Sequence, residues 1–292
     1  MAALNETKEK IGVVKSVGGF ANALQQIAAM RMTSLRDKVL SSKRFVDEAS
    51  EILRELNLQK ELHFKKEFDR ANKHGFKKSN QASSIKAKRA LIVVTSNQGL
   101  CGKFNAEIFR QLEGHILVEN PDADIFIVGK KGQEHYLTNK KYNYKFFPYS
   151  LKDNFDSTDL LRLVNMFPYY ESILMVYSRF INTILRDVVE TLLVTPPTGE
   201  PEVSEGEEIR YIFEPSIDEL IKEVSARLRA ATFQQQVLDS RLAQFSAQMV
   251  GMQAASENAK ILTEELNHEY NKIRRKIIDK KIAEVLGGSA LW

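Results

Sequence analysis

The feature that most constrains this chain is a stretch without proline from residue 216 to residue 286, in which Gly251 is the only glycine. Two series with a spacing of seven residues run through it, offset from each other by four. This combined spacing of three and four residues predicts a coiled-coil helix. At about 1.5 Å per residue the helix would extend about 106 Å, so most of it is expected to protrude from any domain. The two series are Ile217, Val224, Ala231, Leu238, Phe245, Met252, Ala259, Leu266, Ile273 and Ile221, Leu228, Gln235, Leu242, Met249, Ser256, Thr263, Tyr270, Ile277.

A second stretch with the same spacing opens the chain, from about Asn5 to Leu58. Its seam is rich in small residues, which let the backbone of a partner helix approach closely, whereas the C-terminal series supplies larger side chains. We therefore expect the two helices to meet as an antiparallel pair. The N-terminal seam positions are Val14, Gly18, Ala21, Gln25, Ala28, Met32, Leu35, Val39, Ser42, Val46, Ala49, Leu53 and Leu56.

Between the two helices the pattern changes to short apolar strands that alternate with helices, which predicts a central α/β domain with a mainly parallel, Rossmann-like sheet. The predicted fold is thus a long antiparallel coiled coil of N- and C-terminal helices around an α/β domain. Its predicted parts are an N-terminal helix (1–60), a basic linker (61–89), the α/β domain (90–215) and a C-terminal helix (216–292). The predicted strands are 90–95, 124–129, 145–149 and 172–177, with 188–194 and 208–213 as an antiparallel pair, and the predicted helices are 105–118, 131–140 and 158–167.

Composition excludes several classes of protein. Of 292 residues, 42 are basic and 38 acidic, and the net charge of +4 is not the footprint of a dedicated nucleic-acid-binding protein. The single cysteine, Cys101, excludes an internal disulfide and fits a reducing compartment. The sequence contains no run of about 18 apolar residues, so no membrane span is predicted. The polar N-terminus of mixed charge resembles neither a signal peptide nor a transit peptide.

The sharpest local feature is the run from Ser96 to Asn105, which follows a predicted strand and leads into a helix. Nucleotide phosphates bind at such a position in many α/β folds. The spacing G-x-x-G-K, however, matches neither the dinucleotide fingerprint nor a P-loop. Backbone geometry is the favoured reason for these glycines, with a nucleotide site as the alternative. The five scattered histidines have no metal-ligand spacing, and we predict no catalytic residue, metal or cofactor.

The last helix carries a basic cluster that consists of Lys272, Arg274, Arg275, Lys276, Lys280 and Lys281. One interpretation is a solvated helix face, and the other is contact with acidic loops of a surrounding protein. Acidic residues at Asp279 and Glu284 interrupt the cluster, which argues against binding to DNA. The chain then ends in two glycines and Trp292, the only tryptophan.

Several motifs together resemble the gamma subunit of F-type ATP synthase. Its S-D-x-G-L-C-G-x-F-N motif corresponds to residues 96–105, with Asn97 in place of the aspartate and with Gly99, Leu100, Cys101, Gly102, Phe104 and Asn105 retained. Residues 213–216 match its entry into the long helix, and residues 249–259 resemble M-x-x-M-x-x-A-T-x-N-A. Residues 270–274 match Y-N-K-x-R, and residues 287–290 match the G-G-A tail. The resemblance covers essentially the whole chain.

The sequence departs from the family pattern at positions that the resemblance assigns to contacts with a catalytic ring. The family's R-Q pair is Arg274-Arg275 here, its I-T-x-E is residues 278–281, and its S-E-x-x-A-R is residues 243–248. Of the family's N-terminal pattern only Ser16-Val17 remains. The residues that the resemblance places in shaft contacts are Lys272, Arg274, Arg275, Asp279, Gln244 and Gln248.

The resemblance implies a non-catalytic shaft that is present in a single copy in a hetero-oligomer. The coiled coil would turn inside a ring of alternating alpha and beta subunits. The α/β domain would bind the epsilon subunit and the c-ring, peripherally at the cytoplasmic face of a bacterial cell membrane. Neither a cofactor nor nucleic acid is implied. Two alternatives are a non-rotary coiled-coil scaffold with an α/β binding module, and a nucleotide-dependent enzyme centred on residues 99–103.

Overall fold

The computed structural model describes residues 2–71, 89–138, 145–151, 170, 172–193 and 216–289. Its contacts divide into two units. The first, here called the coil unit, holds the chain up to Met32, the segment Leu100–Gly102 and the chain from Phe245 onward. The second, here called the sheet unit, holds Thr33–Gly99 and Lys103–Gln244.

The two long helices are α1 (Ala2–Ala71) and α5 (Ile217–Ser289). Every seam position predicted above is buried or half-buried, and most other residues of α1 are exposed. The predicted 3,4 seam is therefore confirmed in both helices. Helix α1 extends past the predicted boundary at residue 60, through the first part of the expected basic linker to Ala71. No proline or glycine lies between residues 58 and 71 to end the helix earlier.

Within the coil unit, α1 and α5 run antiparallel. A Cβ added at Gly18 would lie 3.0 Å from the Cβ of Ala259, and the guanidinium of Arg31 lies 5.4 Å from the ring centre of Phe245. As the residue number on α1 increases from 18 to 31, the number of the contacting residue on α5 decreases from 259 to 245. This order confirms the predicted antiparallel pair and shows how small seam residues bring the two backbones together.

Within the sheet unit the same order recurs, since Lys60 on α1 forms a 2.6 Å ion pair with Asp218 at the start of α5. Ser216 precedes that helix, and its hydroxyl accepts a hydrogen bond from the backbone N–H of Glu219 at 3.3 Å. A serine at this position satisfies one of the N–H groups that the first turn of a helix leaves without a partner. Ser216 therefore acts as the N-cap of α5.

In the part of the chain that the structure describes, the sheet has five strands in the order β3-β2-β1-β4-β5. Three pairings are parallel, and β5 pairs antiparallel with β4. The mainly parallel sheet is thus confirmed. The predicted strand 208–213 and the predicted helix 158–167 lie outside the described residues. Among the described residues, β5 pairs with β4. The strands are β1 (Arg89–Val94), β2 (Asp124–Val128), β3 (Phe146–Tyr149), β4 (Ser172–Phe180) and β5 (Arg186–Leu192).

The described connections between strands contain three short helices, which are α2 (Phe104–Gln111), α3 (Leu117–Glu119) and α4 (Lys130–Thr138). A single π-helical turn, Leu112–Ile116, joins α2 to α3. The segment from α2 to α3 buries one apolar face, with Ile108, Leu112 and Ile116 at most 1% exposed.

The sheet core forms because apolar strands are covered on both sides. Five of the six residues of β1 are buried, as expected for a central strand of a parallel sheet. Phe233 and Val237 of α5 belong to the same buried cluster as Ile92, Phe126 and Met175 of the strands. One stretch of the long helix α5 is therefore part of the core of the sheet unit.

Candidate functional site

The loop that follows β1 is held closed by hydrogen bonds between the two ends of the predicted motif. The backbone N–H of Ser96 donates to Oδ1 of Asn105 at 3.1 Å, and Nδ2 of Asn105 donates to Oγ of Ser96 at 2.7 Å. Oγ of Ser96 in turn donates to the carbonyl of Gln98 at 2.7 Å. The serine and the asparagine of the motif therefore fix the shape of the loop.

The same loop caps helix α4. The first N–H groups of a helix commonly bind phosphate because they lack partners within the helix. Here the N–H of Lys130 donates to Oδ1 of Asn97 at 3.3 Å, that of Lys131 to the carbonyl of Ser96 at 3.0 Å, and that of Gly132 to Oγ1 of Thr95 at 3.1 Å. These three donors already have acceptors from the chain itself.

The crevice at the carboxyl ends of β1 and β2 is also covered. Thr95, Asn97 and Gly129 line it from the strand ends, and Ser240 and Arg241 of α5 line it from the opposite side. The remaining space suffices for a molecule about the size of water. Neither this crevice nor the start of α4 supports the nucleotide-site alternative.

The central residues of the motif pack on α5 within the coil unit. Gly102 has φ +55°, a conformation that favours glycine, and a Cβ placed there would lie 3.5 Å from the carbonyl oxygen of Ala247. A Cβ at Gly251 would lie 3.7 Å from the backbone of Gly102. Cys101 is 3% exposed and Phe104 1%. Gly102 thus allows the close packing of the loop on α5, and its positive φ fits the favoured interpretation of backbone geometry.

A buried carboxylate lies where α5 meets the end of β4. Asp239 is 7% exposed, and burial raises its pKa to about 6 from an ordinary value of 3.8. The backbone N–H of Phe180 and the cations of Arg179 and Lys43 oppose that rise. Burial, with a smaller contribution from Asp239, raises the pKa of Tyr177 to about 12. The carboxyl group of Asp239 is therefore partly protonated near pH 6.

Searches among known proteins point to one family. A family model described as ATP synthase matches residues 3–291. The chain belongs to the ATP synthase family. Proteins called ATP synthase gamma chain from Legionella pneumophila (strain Corby) and Roseiflexus sp. (strain RS-1) are each 27% identical to it, over 300 and 302 residues. The alignments cover 99% of this chain in both cases, and 99% and 98% of those proteins.

Solved structures of ATP synthases share the fold. The central stalk and c-ring structure of the Tetrahymena thermophila mitochondrial enzyme contains a chain with a TM-score of 0.55 and 17% identity, covering 81% of this chain and 99% of that one. A chain of the Euglena gracilis mitochondrial ATP synthase has a TM-score of 0.54 and 16% identity, covering 90% and 94%. The resemblance to the gamma subunit of the ATP synthase family is thereby confirmed.

The six predicted shaft-contact residues divide into two groups. Lys272, Arg274, Arg275 and Asp279 are all exposed, so their side chains are accessible to a partner. Gln244 and Gln248 are only 8% and 7% exposed, because this stretch of α5 is covered by the chain itself. Direct contact with a ring stays a prediction for all six residues, and the proposal below rests on the exposed ones.

The end of α5 is apolar as well as basic. Ile278, Ile282 and Val285 are 43%, 52% and 72% exposed and recur at spacings of four and three residues. The terminal Trp292 lies outside the described residues. In the part of the chain that the structure describes, no helix is long and apolar enough to cross a membrane, and no three metal-binding side chains form a group.

Sequence reasoning missed one surface of this ATP synthase family member altogether. Val13, Val17, Phe20 and Ile27 of α1 are between 46% and 63% exposed, although they are large and apolar. The available signal was the absence of any charged residue between Ser16 and Met30. A charge-free helical stretch of this length is unusual for a solvated surface.

Proposed function

We propose that the chain is the central rotor shaft, the gamma subunit, of an F-type ATP synthase. The observation that carries the proposal is the antiparallel pairing of α1 and α5 in a chain of the ATP synthase family. In this role the shaft transmits torque between a membrane rotor ring driven by H⁺ or Na⁺ and a catalytic head of alternating alpha and beta subunits. The shaft also regulates ATP hydrolysis by the head.

Torque transmission requires an element that resists twisting, and a pair of interlocked helices does so better than one helix. The approach of Gly18 to Ala259 and the contact of Arg31 with Phe245 fix the two helices of the coil unit against each other. Tightly packed seams deform little because their side chains have few alternative arrangements. The coil unit is therefore suited to turn as one body.

The exposed cations near the end of α5 give the shaft a means of contact with the head. Lys272, Arg274 and Arg275 are exposed, and exposed cations attract acidic loops by long-range electrostatics. The sheet unit would bind the epsilon subunit and the c-ring, which makes the chain a peripheral protein of the cell membrane, on its cytoplasmic face in a bacterium. The chain itself is proposed to be non-catalytic, and the catalytic sites belong to the assembly.

Reconstitution tests this function. The chain is mixed with the alpha and beta subunits of its own organism, and the product is examined by native mass spectrometry and ATP hydrolysis. We expect three alpha subunits, three beta subunits and one copy of this chain, with hydrolysis stimulated by its presence. An assembly with several copies, or none, would favour the non-rotary scaffold instead.

A charge-neutralised variant sharpens the test. Lys272→Gln combined with Arg274→Gln and Arg275→Gln is expected to weaken assembly mainly at low salt, since salt screens exposed charges. Replacing the exposed Lys8, Lys15 and Lys38 of α1 with glutamine provides a control that loses the same number of positive charges. Equal loss of assembly in both variants would show that net charge, and not the cluster, matters.

A further inference from the structure

Three residues of the loop that follows β1 belong to a different unit from their neighbours in the chain. The segment Leu100–Gly102 is part of the coil unit, whereas Gly99 and Lys103 on either side of it are part of the sheet unit. This segment is here called the strap. It therefore packs separately from the residues that begin and end the loop.

The base of the loop is anchored independently of the strap. The N–H of Ser96 donates to Oδ1 of Asn105 at 3.1 Å, and Nδ2 of Asn105 donates to Oγ of Ser96 at 2.7 Å. Phe104, which follows the strap, is buried at 1% exposure. The strap can therefore move while both ends of the loop stay in place.

The strap braces α5 at one turn. A Cβ at Gly102 would lie 3.5 Å from the carbonyl oxygen of Ala247, and a Cβ at Gly251 would lie 3.7 Å from the backbone of Gly102. Cys101 beside it is 3% exposed. Gly251 is the only glycine between residues 216 and 286, and glycine weakens the interior of a helix. The strap thus packs on the turn of α5 that is intrinsically weakest.

The strap holds Leu100 in a strained backbone conformation. Its φ is +62°, and among the residues that the structure describes it is the only one other than glycine with a positive φ. For an ordinary L-residue this strain corresponds to a factor of about 5 to 30 in an equilibrium constant. Leu100 is 58% exposed, so burial of its side chain offsets little of the strain. Strain of this kind persists where the surroundings impose it, and it is common in switch regions.

We propose that the strap is a local switch with a closed and an open state. In the closed state, which this structure shows, Gly102 packs on α5 and Leu100 is strained. In the open state Leu100 relaxes to a negative φ, Cys101 becomes exposed and the turn around Gly251 loses its brace. Packing favours the closed state, and release of the strain favours the open one. The proposal concerns the chain by itself and does not depend on the proposed function.

Labelling of Cys101 measures the opening, because the chain has no other cysteine. The full-length chain is mixed with excess N-ethylmaleimide, and the labelled fraction is followed by mass spectrometry at several urea concentrations below the unfolding transition. When closing is faster than labelling, the rate is proportional to the population of the open state. We expect this rate to depend on urea far less than global unfolding does, because local opening exposes little surface. A rate with the full urea dependence of global unfolding would overturn the proposal.

Substitutions at the exposed Leu100 change the strain and are expected to leave the chain folded. Leu100→Asn and Leu100→Gly should slow labelling about fivefold, because asparagine and glycine adopt a positive φ at lower cost. Leu100→Val should speed labelling about threefold, because a β-branched residue tolerates a positive φ poorly. Leu100→Ala is the matched control. It removes the exposed side chain but keeps the Cβ that causes the strain, so labelling should stay within about twofold of wild type.

Equal labelling rates in the asparagine, alanine and valine variants would overturn the proposal, because strain at Leu100 would then not control the opening. Hydrogen exchange of the backbone amides around Gly251 tests the brace on α5. Exchange there should become faster in Leu100→Val and slower in Leu100→Asn, in step with labelling. Exchange that stays constant while labelling changes would also overturn the proposal, since the strap would then open without any effect on the helix.

Discussion

Two consecutive stretches of helix α5 differ in how much of their surface is exposed. No residue from Leu228 to Met252 is exposed, whereas from Gln253 to Leu286 the covered residues are chiefly those of the seam. The first stretch buries polar residues, and the second exposes apolar ones. Buried polar residues include Gln236, Asp239, Ser240, Gln244 and Gln248, and exposed apolar residues include Ile261, Leu262, Ile278, Ile282 and Val285.

The comparison teaches that polarity does not indicate which part of this helix is covered. Some polar groups in the first stretch find partners, as when Nε2 of Gln236 donates to Oγ1 of Thr191 at 2.9 Å. Oε1 of Gln236 and Oγ of Ser240 are buried without a hydrogen-bond partner. Apolar groups in the second stretch remain exposed in the isolated chain. The first stretch therefore contributes to stability, and the second is available to partners.

The largest expected loss of stability comes from a substitution at a fully buried aromatic residue of the covered stretch, Leu228 to Met252. Phe233 is 0% exposed and belongs to the core of the sheet unit. Phe233→Ala is expected to lower the free energy of unfolding by about 3–5 kcal/mol, because it removes buried apolar surface and leaves a cavity. Chemical denaturation followed by circular dichroism measures the change.

The control for this prediction comes from the other stretch. Ile261 is 56% exposed, and Ile261→Ala is expected to change the free energy of unfolding by less than about 0.5 kcal/mol. Similar losses in the two variants would mean that the two stretches do not differ in the way described.

The two stretches also show which features of α5 can be predicted from the sequence and which cannot. The seam was predictable residue by residue, from Ile217 to Ile277, because heptad spacing depends only on the geometry of one helix. The strand β1 was predictable because a continuous apolar run fits only a strand buried on both faces. These features are local.

The coverage of α5 was not predictable, because it depends on which distant elements pack on each turn. Gln244 and Gln248 were placed in contact with a partner because the resemblance assigns the motif at residues 243–248 to contacts with a catalytic ring. Their burial follows from the covered stretch as a whole, which no local pattern shows. The closed geometry of the loop likewise depends on Asn105 reaching back to Ser96, and sequence alone gave only the residue types.

A second variant tests how much the buried carboxylate of Asp239 lowers the stability of the folded protein. Asp239→Asn is expected to stabilise the protein at pH 7.5 by up to about 3 kcal/mol, the equivalent of a pKa shift from 3.8 to about 6. The opposing effects of the backbone N–H of Phe180 and the cations of Arg179 and Lys43 are already included in that pKa. Thermal unfolding at a series of pH values measures it.

The sign follows from proton linkage. Because the folded pKa of Asp239 exceeds the unfolded one, the folded state holds more protons between about pH 4 and 6. Its contribution to stability is therefore fully present below pH 4 and is lost as the pH rises through 6. The advantage of the asparagine variant should vanish at pH 4. An advantage that is equal at both pH values would exclude the carboxylate as its source.

A pair of neighbouring glycines sharpens the comparison within the coil unit. Gly18 faces the seam, where an added Cβ meets Ala259 at 3.0 Å, whereas Gly19 has no atom within 4 Å of such a Cβ. Gly18→Leu is expected to destabilise by about 1–3 kcal/mol because it forces the helices apart. Gly19→Ala is expected to stabilise by about 0.5–1 kcal/mol because alanine is the better helix former. Effects of the same sign in thermal unfolding would contradict the close approach at Gly18.

The smallest effect on stability is expected at the exposed end of α5. Lys280 lies 3.9 Å from Glu284, and their side chains are 80% and 63% exposed. Such pairs contribute little in water, so Lys280→Gln should change the free energy of unfolding by less than about 0.5 kcal/mol. If the end of α5 serves partners, the same substitution should still weaken assembly with alpha and beta subunits in low salt and have no effect in high salt. Loss of stability without loss of assembly would reverse the roles assigned to the two stretches, since the end of the helix would then act within the chain.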